Sequence, residues 1–297
     1  MQSMFRDGLL ADKRILVTGG GSGLGKEMAT EYLRLGAEVH ICGRRGAVLT
    51  ETADELMGEH GGKVVAHPCD IRVAQAVDEM IEQIWTESGP LTGLVNNAAG
   101  NILSPSTKLS TRGFDAVAGI VFHGSYYATH ACGRRWIEQG LKGSVLSVLT
   151  TWIWTGSPYV TPSAMSKAGI NVMTKSLAVE WARHGIRLNA VAPGPFPTEG
   201  AWERLRPGKK IDDNDDDTRR IPMGRVGDME ELKNICVFLM ADGCEYLTGQ
   251  TIAIDGAGHL ANAGNYAHLI DRGEEEWDEL IAIAKGASDK DKAKRNA

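Results

Sequence analysis

Short apolar runs alternate with amphipathic stretches along nearly the whole chain, and this alternation predicts the order of its elements. Residues 14–20 form an apolar run that ends in glycines, which indicates a buried strand, and residues 23–36 follow helical spacing. Three further strands are predicted over residues 37–44, 63–71 and 91–100, and the helices between them over residues 44–62 and 74–89. Strands that alternate with helices of this length predict parallel βαβ units and, with right-handed crossovers, a doubly wound α/β sheet.

The second half continues the same pattern. It predicts long helices over residues 112–139 and 163–185 and a further helix over residues 228–242. The strands predicted between and after them cover residues 143–150, 186–194 and 248–258. No linker rich in Pro, Gly or Ser divides the chain, so we expect one domain over residues 1–297, with its core at about 10–258 and a C-terminal extension at 259–297. The longest connection, residues 195–222, has the length of a lid, and the charged tail from about residue 288 is expected to be disordered.

Composition and charge narrow the possible functions. Apolar residues make up 42% of the chain, and the net charge of −6 comes without any basic stripe, which argues against a nucleic-acid partner. No apolar run approaches the ~20 residues of a membrane helix, and the N-terminal segment lacks the apolar stretch of a signal peptide. The five cysteines form no CxxC pair, which predicts reduced thiols of a cytoplasmic protein and no metal site.

A glycine-rich segment joins the first strand to the first helix. Residues 18–25 (TGGGSGLG), called here the glycine turn, place Gly19, Gly23 and Gly25 in a GxxxGxG spacing. Glycines allow a tight turn and let backbone N–H groups approach a pyrophosphate, while the helix N-terminus adds partial positive charge. A plain turn offers nothing to offset the entropy of so many glycines, so this position predicts a dinucleotide site.

The end of the second strand indicates which dinucleotide binds. An acidic residue there would bind the ribose 2′-hydroxyl of NAD, but this strand ends with Arg44 and Arg45. Two guanidinium groups suit a 2′-phosphate and predict NADPH, although either arginine alone is also consistent with a solvated surface residue. Asp70 ends the third strand, where it could accept from the adenine amino group or simply cap the next helix.

Five segments occur in an order typical of one family: TGGGSGLG, CDI, NNAAG, SAMSKAG and APGP. With them the chain resembles the short-chain dehydrogenase/reductase family over about residues 10–258. The resemblance implies a Rossmann fold, NAD(P) binding and a homo-oligomer, usually a dimer or tetramer, built on the two long helices. It also implies that Lys167 binds the nicotinamide ribose. The residues and the resemblance together predict a cofactor-binding set that is completed by Gly19, Ser22, Gly23, Leu24, Gly25, Arg44, Arg45, Asp70, Ile71, Asn97, Ala98, Ala99, Gly100, Pro193, Gly194, Pro195 and Phe196.

The family's usual catalytic set is Asn, Ser, Tyr and Lys, and only the lysine is present here. The tyrosine position is Ser163, the serine position is Thr150, and the asparagine position is His123. A serine hydroxyl is far less acidic than a phenol, whose pKa is about 10, so Lys167 is not expected to turn Ser163 into a general acid. The usual interconversion of a carbonyl and an alcohol is therefore not expected.

Within the family, the chain is similar to the NADPH-dependent 2,4-dienoyl-CoA reductases. The matching stretches are NNAAGNILSPSTKLS, PSAMSKAGI, APGPFPTEGAWERLRP and EEEWDELIAIAKG. The position four residues before the lysine is not tyrosine in that group either. The resemblance implies that hydride goes to the far end of a conjugated dienoyl thioester and that the dienolate is then protonated. Donors must stabilise the thioester oxygen, but no alkoxide forms.

Two positions depart from that group. A tyrosine fifteen residues before the lysine donates the proton in its mitochondrial-type members, but here this position is Trp152, whose indole N–H is not a usable acid. The asparagine that helps to hold the thioester oxygen is replaced by His123, and histidine can both donate and titrate near neutrality.

Other groups near the lysine are candidate substitutes. Ser163 shares a helix face with Lys167 through the i,i+4 spacing, Thr150 could bond the thioester oxygen, and Tyr159 precedes the lysine helix. His123 is equally consistent with a packed structural histidine, and Tyr159 with a residue that only lines the pocket.

The residues expected near the substrate carry charges of both signs. Coenzyme A has phosphates, so basic groups are expected near the pocket, and the resemblance implies substrate contacts at Arg72, Asn101, Trp152 and Arg204. Residues 212–217 (DDNDDD) would repel a phosphate if they came close, or they form a solvated loop tip. The first hypothesis is a reductase of an acyl-CoA in fatty acid metabolism. The alternatives are a reductase of another carbonyl compound with a relocated proton donor, and a catalytically silent NADP-binding protein.

Overall fold

The computed structural model describes residues 4–198, 218, 221–261, 273–276, 278–279 and 282. Its strands are β1 Arg14–Thr18, β2 Glu38–Gly43, β3 Val64–Pro68, β4 Gly93–Asn96, β5 Gly143–Val148, β6 Ile186–Pro193 and β7 Thr251–Ile254. They form one seven-stranded sheet in the order β3-β2-β1-β4-β5-β6-β7, and every neighbouring pair is parallel. Because β1 pairs with both β2 and β4, the strand order reverses there and leaves a crevice at the carboxyl ends of the strands.

Helices follow most strands and cover both faces of the sheet. They are α1 Gly23–Arg34, α2 Gly46–His60, α3 Ala74–Glu87, α4 Thr111–Ala118, α5 Gly124–Glu138, α6 Trp152–Thr155, α7 Thr161–Trp181, α8 Met229–Met240 and α9 Gly258–Ala261. Successive residues of β1 enter different cores: Ile15 and Val17 pack with α1, α2 and α8, whereas Leu16 packs with α3, α5 and α7. The predicted doubly wound α/β sheet is confirmed.

The helix predicted over residues 112–139 is interrupted. A π-helical turn at Gly119–His123 separates α4 from α5. On one side of this turn the ring of Phe122 packs on α7, where a Cβ at Gly169 would lie 2.6 Å from the ring. On the other side Gly124 packs on Ile71, with no room for a Cβ. These close contacts explain a bulge that the apolar periodicity does not predict.

The chain divides into two compact units, Met1–His259 and Leu260–Ala297. The sheet and helices α1 to α8 belong to the first unit, and residues 274–276, 278–279 and 282 of the second are helical. The extent of the single domain over residues 1–297 remains a prediction, and most of the predicted lid and all of the predicted tail lie outside the described residues. Within the described part of the chain, no helix is long and apolar enough to cross a membrane.

Candidate active site

The glycine turn lies at the crevice between β1 and β4. Gly19 has φ +68° and Gly23 φ +55°, backbone conformations that favour glycine. A Cβ at Gly19 would lie 3.0 Å from the Cα of Ala98, and one at Gly25 would collide with the carbonyl of Gly19. The turn therefore depends on the absence of side chains at both positions.

Hydrogen bonds tie this turn to the end of β4. The Asn97 amide donates to the carbonyls of Thr18 and Gly19, at 3.0 and 3.3 Å. The Thr18 hydroxyl accepts from the backbone N–H groups of Asn97 and Ala98, both at 3.0 Å. Asn97 is predicted to line the cofactor, which stays a prediction, and the structure shows that its side chain holds the turn in shape.

The N-terminus of α1 is open to an anionic group. Ser22 is its N-cap but makes no side-chain capping bond, and no acidic residue stands in the first turn. Such a terminus leaves backbone N–H groups for a ligand phosphate. The hydroxyl of Thr198 lies beside Gly23, 3.7 Å from where a Cβ would be. The residues present thus fit the pyrophosphate of a dinucleotide, and Thr198 is a candidate contact that the sequence motifs did not single out.

Charged side chains follow β2 and β3. Arg44 and Arg45 are exposed and have no hydrogen bond or ion pair through their side chains to any described residue. Asp70 is paired with Arg72, whose guanidinium donates at 2.5 to 3.0 Å. This bond, with a contribution from Arg44, lowers the pKa of Asp70. The predicted adenine ligand and the predicted substrate ligand therefore contact each other.

Lys167 lies on α7 beside the end of β5. Its ammonium group donates to the carbonyl of Leu149 at 2.9 Å, and burial lowers its pKa to about 8. Ser163, one turn earlier, is 3% exposed, and Thr150 is 8% exposed. The structure shows no hydrogen bond from either hydroxyl to another described residue. Two buried hydroxyl groups thus remain available to a ligand beside a lysine.

Tyr159 lies in the loop before α7 in a strained conformation. Its φ of +66° is rare for an aromatic residue, and Pro158 before it suits a type II turn. The carbonyl of Tyr159 accepts a hydrogen bond from the N–H of Ser104 at 2.9 Å. Shortly before Ser104, the side chain of Asn101 accepts a hydrogen bond from the N–H of Ile102. The ring is 57% exposed. Strain of this kind persists where surrounding contacts determine the backbone, and such sites are often functional.

His123 ends the π-helical turn and is exposed. Its ring lies 5.6 Å from that of Phe122 and 6.0 Å from that of Tyr127. No hydrogen bond joins it to Lys167 or to another described residue through its side chain. The predicted catalytic role of His123 therefore stays a prediction.

The segment after β6 is anchored on β7. The N–H of Gly194 donates to the carbonyl of Ile254 at 2.9 Å, and a Cβ at Gly194 would lie 2.7 Å from the Cβ of Asp255. The buried ring of Phe196 packs on Gly227 and borders a cavity of about 70 Å³. These contacts fix the start of the predicted lid beside the crevice. Arg204 and residues 212–217 lie outside the described residues.

A histidine that the sequence motifs did not single out also lies at this edge of the sheet. The Nδ1 of His259 is 2.7 Å from a carboxylate oxygen of Asp255, and its ring stacks on Trp154 with centroids 4.9 Å apart. Trp154 belongs to α6, the short helix that also contains the half-buried Trp152. Trp154 and His259 are far apart in the chain, so no local pattern predicts their contact, whereas Asp255 and His259 have the local i,i+4 spacing.

Comparisons with known proteins agree with this architecture. A family model described as enoyl-(acyl carrier protein) reductase matches residues 19–259. An uncharacterized oxidoreductase of Caenorhabditis elegans is 40% identical over 290 residues, which cover 96% of this chain and 92% of the relative. A second relative from that organism, named a probable (3E)-enoyl-CoA-producing 2,4-dienoyl-CoA reductase, is 37% identical over 294 residues, or 97% and 94% of the two chains. The crystal structure of a short chain dehydrogenase from Bacillus anthracis is 38% identical and covers 84% of this chain and 98% of its own, with a TM-score of 0.75.

Proposed function

This chain belongs to the short-chain dehydrogenase/reductase family, and we propose that it is an NADPH-dependent reductase of conjugated acyl thioesters, with a 2,4-dienoyl-CoA as substrate. The observation that carries the proposal is the group of side chains around Lys167. A hydroxyl that is a poor acid, Ser163, stands one turn before the lysine, and a second hydroxyl, Thr150, lies nearby. Such a set suits the stabilisation of an enolate oxygen better than the protonation of an alkoxide.

In the proposed reaction the chain orients a dienoyl thioester and stabilises its charge. NADPH, when bound, would supply a hydride for the far carbon, Cδ, of the diene, and negative charge would then develop on the thioester oxygen. Ser163 and Thr150 donate hydrogen bonds to that oxygen as charge develops. Lys167, whose pKa of about 8 leaves it mainly protonated at neutral pH, binds the ribose hydroxyls and places positive charge beside the site. Protonation of the dienolate carbon then gives the enoyl thioester.

The preference for NADPH rests on the end of β2. Arg44 and Arg45 are exposed next to the glycine turn, and their side chains make no hydrogen bond or ion pair with a described residue, so both guanidinium groups are available to a 2′-phosphate. The same site holds no acidic residue between Gly43 and α2 that could take the ribose 2′-hydroxyl of NAD.

We also propose a homo-tetramer that works in the cytoplasm. Met165, Val172 and Val179 repeat every seven residues on α7 and are 57, 62 and 83% exposed. Phe122 and Tyr126 are exposed on the neighbouring helix segment. An apolar stripe of this size on a long helix favours burial against a second copy. The five cysteines are all free, which suits a reducing compartment. Light scattering during size-exclusion chromatography measures the assembly, and a monomer would contradict this part.

The experiment that tests the function is NADPH oxidation by the purified chain with hexa-2,4-dienoyl-CoA, beside a 3-oxoacyl-CoA of the same length. We expect turnover with the dienoyl substrate and little with the oxoacyl control. Turnover of the oxoacyl substrate alone would favour an ordinary carbonyl reductase. Bound NADPH without turnover of either substrate would contradict the proposal. Trp152→Tyr, which restores a phenol at the position of the mitochondrial-type donor, is the matched variant, and its activity shows whether that position can still reach the substrate.

A further inference from the structure

The contact between His259 and Asp255 has the form of a catalytic dyad. The carboxylate of Asp255 accepts three hydrogen bonds: from the N–H of Ala257 at 3.1 Å, and from the N–H and Nδ1 of His259 at 2.8 and 2.7 Å. The carboxylate side chain is 5% exposed and the imidazole 16%. A buried carboxylate on Nδ1 fixes the ring orientation and directs Nε2 away from Asp255. Nε2 makes no hydrogen bond with any described residue.

The dyad lies at the reacting end of the crevice. His259 follows the carboxyl end of β7, and its partner Asp255 lies against Gly194, which follows β6. The His259 ring stacks on Trp154 of helix α6. This short helix comes directly after Thr150, and the N–H of Ile153 donates to the Thr150 carbonyl at 3.2 Å. The Lys167 ammonium binds the carbonyl of Leu149, the residue before Thr150. The imidazole is therefore packed on the turn that bears one of the proposed oxyanion donors.

From this arrangement we propose that His259 is the proton donor of the reaction, and that Asp255 and Trp154 position its ring. This inference rests on the proposed function. The carboxylate of Asp255 and the indole of Trp154 hold the ring from two sides. Among the described residues, Asp255 is the charged side chain that contacts the ring. The backbone is strained at Ala257, with φ +67°, between the two members of the dyad, and strain of this kind clusters at active sites.

The proton and electron balance is complete. The substrate takes up a hydride from NADPH at Cδ, which leaves NADP⁺ and a dienolate with its charge on the thioester oxygen, Cα and Cγ. The imidazolium of His259 releases the Nε2 proton to Cα, the thioester carbonyl re-forms, and a (3E)-enoyl thioester results. The neutral imidazole then takes a proton from solvent before the next turnover.

The other candidate donors fit this step less well. Trp152 carries an indole, which is not an acid near neutral pH. Ser163 and Thr150 are aliphatic hydroxyls that suit hydrogen bonding to the thioester oxygen. His123 is exposed and has no described side-chain hydrogen bond, and no carboxylate orients it.

The test compares His259→Gln and His259→Ala with the wild-type chain, and uses His60→Gln, at the end of α2, as the matched control. We expect both His259 variants to lose about 100-fold in kcat on hexa-2,4-dienoyl-CoA, which is typical for the loss of a general acid. Their Kd for NADPH should stay within about twofold of wild type. Added imidazole should restore the rate of His259→Ala at least about tenfold, since a free acid can replace a missing donor but not a missing structural contact.

A second readout needs no turnover. Carbethoxylation of His259 by diethyl pyrocarbonate, followed by mass spectrometry, should slow when NADP⁺ and hexa-2,4-dienoyl-CoA are bound, whereas His60 should react as before. A kcat within about threefold of wild type in His259→Gln, or no protection by the substrate, would overturn the inference while the proposed function stands. A wild-type chain that binds NADPH but does not reduce the dienoyl-CoA would overturn the proposed function and this inference with it.

Discussion

The two ends of the proposed cofactor site are built by different means. At the glycine turn the binding groups are backbone N–H groups, and the residues needed there are those without side chains, such as Gly19 and Gly25. At the reacting end the groups are side chains from three separate segments: Lys167 on α7, Thr150 after β5, and His259 after β7. A site of backbone groups occupies one continuous segment, whereas a site of side chains is assembled from distant ones.

Backbone strain shows the same difference. In the glycine turn, positive φ angles fall on glycines and cost little. At the reacting end, the described non-glycine residues with positive φ are Tyr159 and Ala257, which lie before α7 and before α9. Each costs about 1–3 kcal/mol in such a conformation. The nucleotide end is therefore relaxed, while the reacting end holds strain that the rest of the fold must offset.

The largest expected effect is at the glycine turn, with Gly25→Val. A Cβ there collides with the carbonyl of Gly19 and with the amide of Asn97, so the backbone N–H groups cannot hold their positions around a pyrophosphate. We expect a loss of NADPH affinity of about 1000-fold or more, or about 4 kcal/mol, in a fluorescence titration. The control is Gly58→Val on α2, where a Cβ meets nothing within 4 Å. Equal losses in both variants would mean that the turn does not bind the cofactor.

The second effect is at the reacting end, with Lys167→Met, which keeps the length of the side chain but removes its charge and its bond to the carbonyl of Leu149. We expect kcat on the dienoyl substrate to fall about 100-fold, because both ribose binding and the local positive charge are lost. The control is Lys175→Met, which lies further along α7 and away from the carboxyl ends of the strands. Unchanged kcat in Lys167→Met would remove the lysine from the mechanism.

The difference between the two ends also explains what could be predicted from the sequence. The β1–α1–β2 unit was predicted to within a few residues, because its apolar runs and glycines are local signals. The helices α6 and α9, with four residues each, were not predicted, since they are too short to show a period. His259 was missed although Asp255 lies four residues before it, because its stacking contact with Trp154 joins distant parts of the chain. The π-helical turn at His123 depends on packing against α7, which no local pattern records.

The third effect separates NADPH from NADH. The double variant Arg44→Ala and Arg45→Ala should lose about 30-fold in affinity for NADPH, or about 2 kcal/mol, since two charged hydrogen-bond donors to the 2′-phosphate disappear. Its affinity for NADH should change less than threefold by the same reasoning. Arg183→Ala, an exposed position just after α7, is the control. Equal losses for both cofactors would show that the arginines do not read the 2′-phosphate.

The fourth effect is a pH dependence at the reacting end. Burial lowers the pKa of Lys167 to about 8 in the free chain, so the ammonium is present below that pH and is lost as pH rises through it. We therefore expect kcat/KM for NADPH to fall above about pH 8, by about tenfold per pH unit once the amine is neutral. In Lys167→Arg this limb should move to higher pH, because a guanidinium stays protonated. If kcat/KM falls at the same pH in both proteins, the fall is caused by another group.

The smallest effect tests the strain at Tyr159. Tyr159→Gly and Tyr159→Ala remove the same exposed ring, but only glycine adopts φ +66° without a Cβ penalty. The glycine variant should be the more stable of the two by about 1 kcal/mol, measured as the free energy of unfolding in urea. At Gln83, an exposed position inside α3, the order should reverse, since glycine is about 1 kcal/mol worse than alanine in a helix interior. If alanine were the more stable residue at both positions, Tyr159 would hold no strain, and the contrast between a relaxed nucleotide end and a strained reacting end would rest on Ala257 alone.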